Sequence, residues 1–170
     1  MWKYTGSARP EFAEEPRAGQ ESVWDYPRPP ALVSCTNTIE VGRNERALAT
    51  TNKALRVLET ASPPTYYLPP SSVNWSLLER LDQHSWCEWK GEATYWGLTA
   101  DKAAGAIGWS YHQPHQTFAA IDGFVSFYPG RIACYIDGEQ AKPQAGGFYG
   151  GWVTSNIVGP MKGDPGTGHW

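Results

Sequence analysis

Beyond Thr38, apolar and polar residues alternate in short runs, the period-two pattern of half-buried strands. "TIEVG" and "RALATT" flank "GRNE" and predict a hairpin. "PTYYLPP" predicts an aromatic strand whose flanking proline pairs suit a sheet edge or a strand end. "GEATYWGL" and "AIGWSYH" read as two further strands separated by "TADKAAG", and "FVSFY" with "RIACYID" as a hairpin across "PG". "ALRVLET" fits a strand or a short helix, and its length leaves both open. In "VNWSLLERL" the spacing of Val73, Leu77, Leu78 and Leu81 predicts a short helix capped by Ser71 or Ser72. A second short helix is expected in "HQTFAAID", closed by Gly123. The sum is a mainly β chain of small twisted antiparallel sheets with one or two short helices.

The pattern weakens at both ends. Residues 1–20 are polar and broken by proline, which predicts a flexible tail. At "ESVWDYPRPP" the prolines impose an extended path, so residues 21–37 read as a strap on the domain, with Trp24 and Tyr26 gripping it. Residues 38–138 form the β-rich core, and the glycine-rich residues 139–170 an ordered wrap pinned by Phe148, Tyr149 and Trp152.

Composition changes this picture in one respect. Of 170 residues 41% are apolar and 18% charged, enough for a sizeable core. However, nine Trp and nine Tyr outnumber five Phe. Such rings combine an apolar face with a polar handle and suit half-buried surfaces and ligand walls. The net charge of −3 lacks the basic footprint of a duplex-binding protein. No apolar run approaches the ~18 residues of a membrane span, and Met1–Gln20 has no apolar core of a secretory signal. Three scattered cysteines, Cys35, Cys87 and Cys134, fit a reduced cytoplasmic protein better than a disulfide scaffold.

Candidate chemistry concentrates in "SWCEWKGEATYWGL", where Cys87, Glu88 and Lys90 sit among rings. A thiol becomes a nucleophile as thiolate, and a nearby cation such as Lys90 favours that form. On a regular strand Cys87 and Trp89 face one side and Glu88 and Lys90 the other. The ammonium therefore reaches the thiol only if Lys90–Gly91 turns the chain, which would also aim it at a pocket mouth. Glu88 and Glu92 are not a carboxylate pair by spacing alone. "HQPH" holds His112 and His115, but Pro114 opposes a helix and no cysteine pair completes a zinc set, so no metal is expected. No serine-hydrolase elbow and no phosphate-cradling P-loop occurs, and "GGFYGG" lacks the strand-then-helix setting of a dinucleotide fingerprint. No cofactor is predicted.

"ESVWDYPRPP", "ALRVLETASPPTYYLPP", "CEWKGEATYW", "GWSYHQP", "FVSFYPGRIACYIDGE" and "GFYGGWVT", in this order, resemble the bacterial family catalogued as domain of unknown function 427. The resemblance runs from about Glu21 onward, centred on residues 38–138. It implies a small twisted-sheet domain of the β-tent kind. Zinc modules of that class use paired cysteine knuckles, which this chain lacks. The nucleotidyltransferase heading attached to the family would require Gly-Ser followed by two spaced carboxylates, whereas Gly6–Ser7 has no Asp-x-Asp after it. Fold likeness leaves function open.

Three functions then compete. The first is a small-molecule binding module for an anionic or planar ligand, lined by Tyr66, Tyr67, Trp89, Tyr95, Trp109 and Tyr111 with Lys90 and Arg28 as anchors. The second is an enzyme using Cys87 as nucleophile or Glu88 as general acid–base, with Lys90 stabilising negative charge. The third is an interaction or homodimerisation domain docking through the strap and the glycine-rich end. Nucleic acid ranks last, because the rings are present but the charge is wrong.

Overall fold

The computed structural model describes residues 2–43 and 47–170. In chain order the first strands are β1 (Glu21–Ser22), β2 (Ala31–Cys35), β3 (Ile39–Val41), β4 (Ala49–Thr51) and β5 (Ala54–Leu58). There follow β6 (Thr65–Tyr67), β7 (Leu78–Cys87), β8 (Gly91–Leu98), β9 (Asp101–Tyr111) and β10 (Val125–Phe127). The last are β11 (Cys134–Ile136), β12 (Glu139–Gln140), β13 (Lys142–Pro143), β14 (Trp152–Val153) and β15 (Ile157–Val158).

Three antiparallel sheets carry the fold, ordered β2-β5-β6, β10-β9-β8-β7 and β12-β11-β3-β4. β1 pairs in parallel with β15, and β13 antiparallel with β14. Two backbone hydrogen bonds between Leu68 and Val125, 2.8 and 2.9 Å long, tie the end of β6 to the start of β10. That bridge brings the first sheet against the second. The mainly β architecture of small antiparallel sheets agrees with the sequence reading.

The helical expectations resolve differently. "VNWSLLERL" forms a 3-10 turn, Trp75–Leu77, and then enters β7. Its helical spacing is overridden because β8 offers a ladder partner along its length, pairing Leu78 with Leu98 and Cys87 with Gly91, with one irregularity between Arg80 and His84. "HQTFAAID" is 3-10 across Gln116–Ile121, with Phe118 and Ile121 as its buried side chains. "ALRVLET" is strand β5, the central strand of its sheet, and "PTYYLPP" supplies β6 at that sheet's edge. β3 and β4 pair as a hairpin would, although Asn44–Arg46 of its turn lie outside the described residues.

The expected "FVSFY"–"RIACYID" hairpin is absent. β10 pairs with β9, whereas β11 pairs with β3 and β12, so Tyr128–Ile132 is a crossover between sheets. Val125–Phe127, buried throughout, pairs with the buried end of β9, whereas Cys134–Ile136 takes β3 and β12 as its two neighbours.

The core has three apolar clusters. One joins Ile39, Val41, Leu68, Ile107, Phe127 and Trp152. Trp152 is fully buried, and its Nε1 donates to the Phe127 carbonyl at 2.9 Å. A second gathers Val23, Trp24 and Tyr26 with Ile157 and Met161, and Trp2, Tyr4 and Trp170 pack against it. Arg9 pairs with Asp25 at 2.7 Å, and the Glu14 N–H donates to the Gly159 carbonyl at 2.8 Å, so residues 9–14 lie along this cluster. The third cluster, built from Val57, Tyr67, Trp109, Tyr111, Phe118 and Ile121, forms the floor of the site described next. No helix among the described residues is long and apolar enough to cross a membrane.

Candidate functional site

Strand alternation on three neighbouring strands converges on one cavity. The register pairs Ala93 with Tyr111, Tyr95 with Trp109 and Ser85 with Ala93, so Ser85, Tyr95, Trp109 and Tyr111 share a face. The opposite face carries Trp96, whose Nε1 donates to Ser110 Oγ at 2.8 Å and whose ring meets Trp75 edge-on. "GEATYWGL" is thus covered on both sides. From the first sheet, β6 adds Tyr67, whose hydroxyl accepts from Trp109 Nε1 at 3.1 Å.

The cavity encloses about 430 Å³ and is lined also by Cys87, Lys90, Tyr128, Arg131 and the loop around Phe148 to Gly151. Such a volume accommodates a small metabolite. Gly150 closes one wall by lying flat against the Trp109 ring, where a Cβ would overlap Trp109 Cη2. This contact explains a glycine there better than chain flexibility does.

The Cys87–Lys90 stretch is a hairpin turn. Cys87 pairs with Gly91 across the three residues Glu88, Trp89 and Lys90, and Gly91 takes φ +96°, a region costly for other residues. Strand alternation stops at the turn, and Lys90 reaches the same cavity as the thiol. The Lys90 side chain is buried, with the residue 8% exposed. Its Nζ lies 5.7 Å from the Tyr111 ring centroid and 5.4 Å from that of Phe118. Among the described residues it joins no ion pair. A lysine side chain this buried lacks here the anion that usually accompanies it.

Several hydroxyls line the same cavity. Burial, reinforced by the neighbouring Tyr67 and Cys87, pushes the Tyr111 phenol well above its usual range. Burial does the same to Tyr67, and to Tyr128 with Tyr95 adding to it. These groups stay protonated and can donate. Ser85 Oγ and Tyr95 OH are 2.6 Å apart. A second cation, Arg131, lies 4.3 Å over the Tyr128 ring and donates from Nη1 to the Ala106 carbonyl at 2.7 Å. The one carboxylate on the lining, Glu59, is held by Arg28 at 3.0 Å.

Of the sequence candidates, Tyr67, Cys87, Lys90, Tyr95, Trp109 and Tyr111 line the cavity. Tyr66 does not. As Tyr67's strand neighbour it points to the opposite face, 4.8 Å from Trp152 and beside Arg56, where burial raises its phenol to about 12. Trp89 packs from outside on the third cluster, with the Arg28 guanidinium 5.7 Å over its ring. Arg28 itself lines a different hollow. Glu88 is exposed at the hairpin tip and Glu92 pairs with His84 at 3.2 Å, so neither carboxylate enters the cavity. Sequence reasoning missed Tyr128 and Arg131, because "YPGR" has the pattern of a hairpin turn and forms a crossover instead. It also missed Trp86 and Phe148, which line the cavity yet are 70% and 78% exposed. Among the described residues no cluster of His, Cys, Asp and Glu could hold a metal ion.

A family model described as "Domain of unknown function (DUF427)" matches residues 31–138. The chain belongs to this family. No curated protein matches the chain. The DUF427 region supplies the floor of the cavity, from Tyr67 through Arg131, whereas the Phe148–Gly151 wall lies beyond it.

Proposed function

We propose that the cavity is a binding site for a small anionic, planar ligand whose acid sits at Lys90. The observation that carries this reading is the buried Lys90 side chain, its Nζ over two rings with no carboxylate partner among the described residues, on the lining of a 430 Å³ cavity. Arg131 adds a second positive group, and the protonated phenols offer donors, so the lining favours an acceptor-rich guest. Trp86 and Phe148 give ring faces at the rim.

Intrinsic-fluorescence thermal melts test this with a panel of nucleotides, aryl carboxylates and sugar phosphates. A ligand at 100 times its Kd stabilises by about 2.7 kcal/mol, a shift of several degrees. At least one anion should give such a shift, its neutral analogue should not, and Lys90→Gln should abolish it. No stabilisation at millimolar concentrations, or an unchanged response in Lys90→Gln, refutes the reading.

Cys87 on the same lining supports a second reading, an enzyme that uses this thiol on the bound ligand. Iodoacetamide labelling followed against pH tests it. A Cys87 that labels in the fold with an apparent pKa no lower than the ordinary ~8.5 removes the nucleophile.

A further inference from the structure

A separate hollow of about 520 Å³ forms where residues 2–12, Arg28 and residues 162–170 meet, wholly outside the DUF427 match. All eight residues lining it are aromatic or basic. That segregation is unusual in a chain whose 17 acidic residues exceed its 14 Lys and Arg.

The rings form a braced wall. Phe12 stacks on Trp170 with centroids 5.5 Å apart and planes 14° off parallel, and Trp24 meets Trp170 edge-on at 5.1 Å. Phe12 nevertheless remains 50% exposed. The polar groups on this lining are mostly donors, the exception being His169 Nε2, which accepts from Trp170 Nε1 at 3.0 Å. Lys3 and Lys162 join no ion pair among the described residues and lie over the rings of Tyr4 and Tyr149, at 5.2 and 5.3 Å. Arg28 commits Nη1 to Glu59 at 3.0 Å and keeps its other donors. Trp2 Nε1 is buried with no acceptor among the described residues. An orphaned buried N–H is uncommon in a folded protein.

We propose that this hollow is a second binding site, for a planar aromatic ring that carries a carboxylate or a phosphate. The ring lies against the Phe12–Trp170 face. Its acid group approaches Lys3 and Lys162, and Trp2 on the same lining reports its arrival. A neutral ring leaves the cations unmatched, and an anion without a ring leaves the aromatic wall open. The site is independent of Lys90, so its fate does not decide that of the first cavity.

The test follows indole N–H signals in ¹H–¹⁵N spectra of the chain with no appended residues, with Trp2, Trp86, Trp109 and Trp170 assigned by single Trp→Phe substitutions. 1-Naphthoate and adenosine monophosphate are titrated separately, with 1-naphthalenemethanol as the neutral control. The Trp2 signal should move saturably with at least one of the two anions. A response to naphthoate alone assigns a carboxylate, and to the nucleotide alone a phosphate. The Lys3→Gln/Lys162→Gln pair should weaken this binding about tenfold or more, as lost charge-assisted hydrogen bonds require. Lys90→Gln should leave it unchanged. Movement confined to Trp86 and Trp109, an equal response to the alcohol, an affinity unchanged in the double variant, or silence at millimolar concentrations would overturn the assignment.

Discussion

Tyr67→Phe removes a single oxygen and asks whether the cavity floor is held by one hydrogen bond. Tyr67 is 1% exposed and Trp109 is 7% exposed, and Trp109 Nε1 donates to the Tyr67 hydroxyl at 3.1 Å. The substitution keeps the ring and its edge-to-face contact with Trp109, whose centroid lies 6.2 Å away. It therefore strands the indole N–H in an apolar layer. Leaving a buried donor unpaired costs ~1–3 kcal/mol, well beyond the ~1 kcal/mol net worth of an ordinary hydrogen bond. For a chain of this length each kcal/mol lowers Tm by ~2–4 °C, so the melt should fall by several degrees. Urea unfolding supplies the free energy, and the m-value should stay constant. Trp109→Phe and the double variant close a cycle: once the indole is gone, removing the Tyr67 hydroxyl should cost much less. A loss below about 0.5 kcal/mol in Tyr67→Phe, the size of a neutral surface change, would refute the reasoning. So would equal hydroxyl costs with and without Trp109.

Other perturbations reach different parts of the molecule. Gly150→Ala drives a methyl into the Trp109 ring and should cost ~1–3 kcal/mol in urea unfolding, with a changed tryptophan emission; neutrality would show that the loop yields freely. Burial raises the Cys35 and Cys134 thiols, whereas Cys87 lines the cavity, so a disulfide reagent at neutral pH should label one thiol quickly and the other two only on unfolding. Asp137 accepts from the Asn37 side chain at 2.6 Å and the Thr38 N–H at 2.8 Å, and these bonds hold its carboxyl below the usual range. Its contribution is complete above the unfolded pKa of ~3.9 and is lost as the pH falls through the lower folded value. The urea midpoint of Asp137→Asn should accordingly fall less between pH 6 and pH 3 than that of the parent; parallel curves would remove this role. Trp152→Ala, which empties a fully buried site and frees the Phe127 carbonyl, should cost ~3–5 kcal/mol or prevent folding, while Trp86→Ala, 70% exposed, should leave Tm within a degree or two.

Local pattern was sufficient for much of this chain. Period-two alternation identified β8 and placed Tyr95 and Trp96 on opposite faces, because side-chain direction on a strand depends only on the backbone. The same rule applied to "TYY" would have separated Tyr66 from Tyr67, one bound for Trp152 and the other for Trp109. What the sequence lacked was pairing. "VNWSLLERL" has helical spacing, yet it runs into strand β7 because β8 supplies ladder partners that only the folded chain presents. "FVSFYPGRIACYID" looks like a hairpin, but its halves join different sheets, and that choice carries Tyr128 and Arg131 to the cavity. Lys90 shows both kinds of control. Its turn, Lys90–Gly91, was readable in the chain, whereas the placing of its Nζ over Tyr111 and Phe118 follows from β9 and the Gln116–Ile121 turn packing from distant positions. Strand identity is a short-range property of backbone and side chain. Partner, face-to-face contact and burial are long-range, decided by which surfaces exclude water together.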